Sequence, residues 1–124
     1  MSAANNLPQS VIEAFHLMWD NFPSPTSLTH KNREVVAINK AWLKQGDLKP
    51  GMNCAKLYTP DMHRNCLANK AMASREAAFV IAESDGLERI KFWLPLDGYP
   101  EYFIHFSVGS PESFRRAASA ESAS

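Results

Sequence analysis

Residues 78–108 read AFVIAESDGLERIKFWLPLDGYPEYFIHFSV, and the pairs Asp85-Gly86 and Asp97-Gly98 cut the stretch into three runs of largely alternating apolar and polar residues. Alternation is the period of a strand, and Asp-Gly supplies the positive backbone angles of a two-residue hairpin turn. The spacing predicts three consecutive antiparallel strands. In the last of them Tyr102, Ile104, Phe106 and Val108 share one face while Phe103, His105 and Ser107 share the other. Either face can meet a core.

Working back from this stretch, TPDMHRNCLANKAMASREA (59–77) is rich in helix formers. Thr59 is placed as N-cap, Pro60 at the first helical position and Asp61 near the positive end of the dipole, so one long helix is expected there. Before it, Asn39 caps the short segment KAWLKQ and Gly46 closes it, with a further helical turn near Asn53. TSLTH (26–30) and REVVAIN (33–39) read as a β-hairpin turning on Lys31-Asn32, where Asn tolerates positive φ. From Gln9 to Asn21, Ile12, Phe15 and Trp19, and then Phe22, recur at helical spacing after Pro8, until Pro23 and Pro25 stop the pattern. The order predicts an α+β domain: a five-stranded antiparallel sheet with helices packed on one face and an N-terminal capping helix. Residues 1–7 and 110–124 are loose in composition, so a disordered N-terminus and a flexible C-terminal tail are expected around a domain spanning 8–109.

Composition removes several function classes. With 124 residues the chain has the size of one domain, and its 13 Lys and Arg balance 13 Asp and Glu. A zero net charge argues against gripping nucleic acid or an anionic membrane, both of which draw affinity from excess base. Cys54 and Cys66 stand alone without CxxC spacing, so neither a disulfide framework nor a thiolate zinc site is indicated, and a reducing cytoplasmic setting is expected. A signal peptide is not expected, since MSAANNLPQS (1–10) carries no Lys or Arg and leads into no long apolar run, and no stretch of about 20 apolar residues occurs in the sequence. The zero is itself a cancellation: residues 31–75 carry nine bases against three acids, about +6, and residues 76–112 carry two against seven, about −5. Those two regions could pair within the subunit, meet in a neighbour or attract an anion.

The stretch DNFPSPTSLTHKNREVVAINKAW (20–42), with its Asn39-Lys40-Ala41 step, resembles the opening of a PAS domain. Gly51, the helix LYTPDMHRNCLANKAM and the three closing strands continue the resemblance over about 100 residues. It departs in a short segment between Gly46 and Gly51, and in SVGSPESF where many PAS domains carry an Asp-Ile-Thr signature. The resemblance implies a non-catalytic sensor of signal transduction or transcription, with a small organic ligand in a cavity between the sheet and the middle helices. Output would pass through a homodimer or a separate signalling partner. The alternative is a pure protein-interaction module with a filled core and no ligand.

Trp42, Leu57, Tyr58, Met62, Leu67, Trp93 and His105 are the candidates to line the cavity, set against ordinary core packing. Tyr58 and His105 stand out, because a buried hydroxyl or imidazole needs a partner that a ligand could supply. Ile12, Phe15, Trp19 and Phe22 are the candidates for the dimer contact, against the reading that they cap their own sheet. Two cofactor readings rank lower. His63 stands where some PAS sensors place a haem ligand, yet beside Asp61 and Arg64 it reads as a surface histidine. Cys54 in GMNCAKLY resembles the Gly-x-Asn-Cys step of flavin-binding relatives, but Ala55, Lys56, Tyr58 and Leu94 depart from that pattern. No catalytic residue and no metal ligand is assigned: the four histidines, His16, His30, His63 and His105, form no i,i+4 pair and the chain has no glycine-rich phosphate loop.

Overall fold

A computed structural model describes residues 7–54, 66–84, 86–112 and 115. Along the chain run helix α1 (Gln9–Trp19), strands β1 (Thr26–His30) and β2 (Val35–Ile38), and helix α2 (Lys40–Gln45). Helix α3 (Ala68–Ser74) follows, then β3 (Ala78–Ser84), β4 (Leu87–Leu96) and β5 (Tyr99–Gly109).

The strands form one antiparallel sheet in the order β2-β1-β5-β4-β3, so the first strand lies beside the last, with Leu28 opposite Ile104. Ser84 pairs with Leu87 and Leu96 with Tyr99, which leaves the two-residue loops that the Asp-Gly pairs demand. Gly86 (φ 77°) and Gly98 (φ 83°) take the left-handed conformation there at no steric cost.

The first hairpin turns differently from expectation. Arg33 donates its backbone N–H to the His30 carbonyl at 2.7 Å, and His30 donates to Glu34 at 2.9 Å, so three residues span the loop. In such loops the residue after the turn takes the left-handed conformation, and that residue is Arg33 (φ 76°) rather than Asn32. The Asn32 side chain instead accepts from the Glu34 N–H at 2.8 Å.

Helix α3 also differs. The single helix expected over 59–77 is not continuous, because Cys66 and Leu67 are non-helical and the helical turns run only from Ala68 to Ser74. Arg75 ends them in the left-handed region (φ 61°), with its side chain donating to the Leu96 carbonyl at 2.6 Å. Thr59, Pro60 and Asp61 lie outside the described residues. At the N-terminus, Leu7 was assigned to the loose segment by composition but is buried in the core under α1. Beyond β5, Ser110 continues the ladder to the Glu88 carbonyl, and Pro111 and Glu112 turn into helix. Asn53 forms an antiparallel bridge to Glu34 rather than a helical turn.

Asn39 ties the elements together. Its Oδ1 accepts from the Trp42 N–H at 3.2 Å, which caps α2, and also from the Thr26 N–H at 2.9 Å. Its amide donates to the carbonyls of Trp19 (3.0 Å), Phe22 (3.3 Å) and Ser24 (3.0 Å), so one fully buried side chain joins the end of α1, the start of β1 and the start of α2.

Candidate functional site

Alternation along β4 and β5 sends different chemistry to the two faces of the sheet. On the outer face Ile104 and Phe106 of β5 lie opposite Leu94 and Phe92 of β4. Helix α1 lays Phe15 and Trp19 on this face with Leu7, Val11, Ile12 and Phe22 around them. Phe106 is the hub: it stacks on Phe92 at 4.9 Å and meets Trp19 and Phe22 at 5.3 and 5.4 Å. One flank of α1 leaves a groove of about 220 Å³ lined by Ala14, Met18, Leu96, Asp97 and Tyr99 among others.

The inner face is built from smaller parts. Ala68 and Ala71 of α3 are both 0% exposed and pack on Ala78, Trp93 and Phe103, which lets the helix sit close to the strands. The Trp93 and His105 rings stack at 4.8 Å and 16° across the β4–β5 pair. His105 Nδ1 lies 2.8 Å from the Phe92 carbonyl, which can only accept, so this nitrogen carries the proton. Farther along the same face come Lys91 opposite Ser107 and Arg89 opposite Gly109, and Arg89 donates to the Ser107 hydroxyl at 3.2 Å. The sheet thus changes along its inner side from apolar under α3 to cationic.

A third apolar cluster joins Val35, Ile38, Trp42 and Leu48, with Cys54 against it. Trp42 donates its indole N–H to Asp47 at 2.9 Å. Burial pushes the Cys54 thiol above its ordinary value of 9.0, against the pull of the Arg33 guanidinium, so it stays protonated at neutral pH. Arg33 marks the seam between this cluster and the inner face: it lies 5.6 Å over the Phe103 ring and donates to Asn69 of α3 at 3.2 Å.

Of the cavity candidates, Leu67, Trp93 and His105 meet on the inner face at α3, and Trp42 belongs to the neighbouring cluster. Leu57, Tyr58 and Met62 lie outside the described residues, as does His63. Leu94, which bore on the flavin pattern, points to the outer face and so away from Trp93. The candidate dimer contacts Ile12, Phe15, Trp19 and Phe22 all pack on the subunit's own sheet, with Phe15 buried. The exposed apolar residues of α1 are instead Leu17 (86%) and Met18 (68%), and Phe79 (64%) and Ile81 (60%) are exposed on β3. Arg89, Lys91 and Ser107, which share this face, are not among the sequence-derived candidates. The signal for them was the alternation itself, since counting back by twos from Trp93 reaches Lys91 and then Arg89.

No helix of the described residues is long and apolar enough to cross a membrane, and no group of three metal-ligating side chains converges among them. No protein-family model matches the chain, and no curated protein sequence matches it. Solved structures do. The chain is similar to the PAS domain of Bordetella pertussis BvgS, with a TM-score of 0.65 and 18% identity over 93% of this chain and 99% of that one. It is similar to a sensory box sensor histidine kinase from Vibrio cholerae, at 0.59 and 11% over 87% and 95%. It is also similar to a PAS domain from a two-component sensor histidine kinase, at 0.52 and 11% over 82% and 98%.

Proposed function

Starting from a chain that has the fold of a PAS domain, we propose that it is a non-catalytic sensor module that binds a small organic molecule against the inner face of its sheet. The observation that carries this reading is the Trp93–His105 stack, with Lys91, Ser107 and Arg89 continuing the same face. Ligand sites are mostly apolar with a few placed polar groups, and this face has that composition. The groove beneath α1 has less to offer, because at about 220 Å³ it falls below the ~300–1,000 Å³ of ordinary small-molecule sites and its lining is nearly all apolar. Two of the similar structures come from sensor histidine kinases, which supports a signalling role. A ligand would act by shifting the population between conformers, in proportion to its differential affinity for them. Signal transduction or control of transcription in the cytoplasm is the setting, and the two free thiols, Cys54 and Cys66, suit a reducing compartment.

Native mass spectrometry of the protein as purified tests this reading. A small-molecule adduct that denaturation releases is the expected result; a bare chain under gentle conditions, with no small molecule from a cell extract retained, contradicts it. The exposed Leu17, Met18, Phe79 and Ile81 favour a second reading, association with another copy through the outer face. The same spectrum separates the two, since a dimer carrying no small molecule supports the second reading alone.

A further inference from the structure

We propose that the molecule taken by the inner face is an organic carboxylate, held by Lys91 and Arg89 beside the Trp93–His105 stack. The inference rests on the ligand-binding reading above and adds the charge and chemical class of the ligand.

It begins with the charge count. Residues 76–112 contain seven acids and only two bases, Arg89 and Lys91. Strand alternation puts both bases on the inner face in line with Trp93, whereas Glu83 and Glu88 lie directly opposite each other on the outer face. The neighbours of Lys91 across the sheet are Val80 and Ser107, and those of Arg89 are Ala82 and Gly109. None is acidic. Arg89 spends one N–H on the Ser107 hydroxyl, and among the described residues neither cation forms an ion pair. Both are partly buried.

Partial burial of two like charges two residues apart is unfavourable unless an anion joins them. A sheet segment with a surplus of acid could have paired these bases cheaply, yet Glu83 and Glu88, the glutamates nearest them along β3 and β4, lie on the other side. The donor set also selects the anion. Arginine offers a planar fork that matches a carboxylate in bidentate fashion, lysine adds a compact charge, and the Ser107 hydroxyl can donate as well as accept. Next to them the part-buried His105 ring covers the buried Trp93, and a planar organic body can extend along the imidazole from its acid group. The geometry therefore suits a flat acid with its carboxylate toward Arg89 and its body toward His105.

The test titrates ¹⁵N-labelled full chain with benzoate and with benzamide, its uncharged isostere, and follows backbone amide shifts. Benzoate is expected to move the resonances of 89–93 and 105–107 and to bind about tenfold or more tightly than benzamide, the scale of one hydrogen bond to a charged group. Lys91→Met should weaken benzoate by about tenfold and leave benzamide unchanged, with Arg89→Gln as a second variant and spectral dispersion as the check on folding. Equal affinity for acid and amide, or no effect of either substitution on benzoate, overturns the carboxylate inference and leaves the ligand reading standing. Shifts absent from the inner face, or confined to the groove beneath α1, overturn both.

Discussion

The outer and inner faces of the sheet share the same two central strands but solve different problems. On the outer face large aromatic rings from β4, β5 and α1 interlock around Phe106, and the helix that covers them contributes large side chains of its own. On the inner face the covering helix contributes alanines, a ring stack includes an imidazole, and the row ends in two cations that no acid among the described residues pairs. Interlocked rings gain stability from close packing and from edge and offset geometry. Part-buried cations with no ion-pair partner among the described residues gain none. The contrast teaches that one face is spent on holding the domain together, which leaves the other free to carry chemistry that folding alone would not select.

Substitutions can break that contrast. Phe106→Ala removes the hub of the outer face and is expected to cost about 3–5 kcal/mol, a large share of the stability of a domain this size. Chemical denaturation measures it, and a loss under about 1 kcal/mol would mean that the outer face is not the structural one. Asn39→Ala comes next, at about 2–4 kcal/mol, because it removes the cap of α2, leaves the Thr26 N–H without its acceptor and takes one donor from each of the Trp19, Phe22 and Ser24 carbonyls. An unfolding midpoint close to that of the wild type would show that the linker does not depend on Asn39. For Lys91→Met the expected change is within about 0.5 kcal/mol, in either direction, since among the described residues the charge has no ion-pair partner to lose. A loss as large as that of Asn39→Ala would sharpen the comparison the wrong way, by making Lys91 a structural residue.

The smallest effect belongs to Glu101, at the edge of β5. A hydrogen bond from Lys31, then the Lys31 charge, and then a hydrogen bond from His30 hold its carboxyl below the ordinary 4.5. A carboxyl depressed in the folded state adds stability above its unfolded value, and that contribution is lost as pH falls through the lower folded value. The group is exposed, so the contribution is small. Melting curves of wild type and Glu101→Gln should differ slightly above pH 4.5 and converge below it. Curves that diverge further on the acid side would reverse the sign of this account.

Much of the architecture is legible locally. Two Asp-Gly pairs fix both closing turns, and Asn39 and Gly46 bound α2 through contacts within a few residues. What was not legible depends on partners distant in sequence. Asn39 reads as a helix cap, while its bonds to Trp19, Phe22 and Ser24 exist only once α1 has docked. Leu7 follows Asn5 and Asn6 and looks loose until α1 gives it a core to enter. Helix propensity favours the whole of 59–77, yet Leu67 adopts a non-helical conformation where it packs against the Trp93 cluster. For the proposed site, His105 and Trp93 stand out in the sequence as polar and aromatic groups within a strand, whereas Arg89 and Lys91 do not, because charge by itself reads as solvated surface. Their parity with Trp93 is what places them inside.

The three tryptophans stand one in each region: Trp19 on the outer face, Trp93 on the inner face and Trp42 in the third cluster. Fluorine NMR of protein labelled with 5-fluorotryptophan, recorded while benzoate is added, therefore tests the division of labour most directly. The Trp93 resonance is expected to shift or broaden saturably while Trp19 stays fixed. A saturable shift of Trp19 with Trp93 unmoved would place the ligand on the outer face and contradict the account.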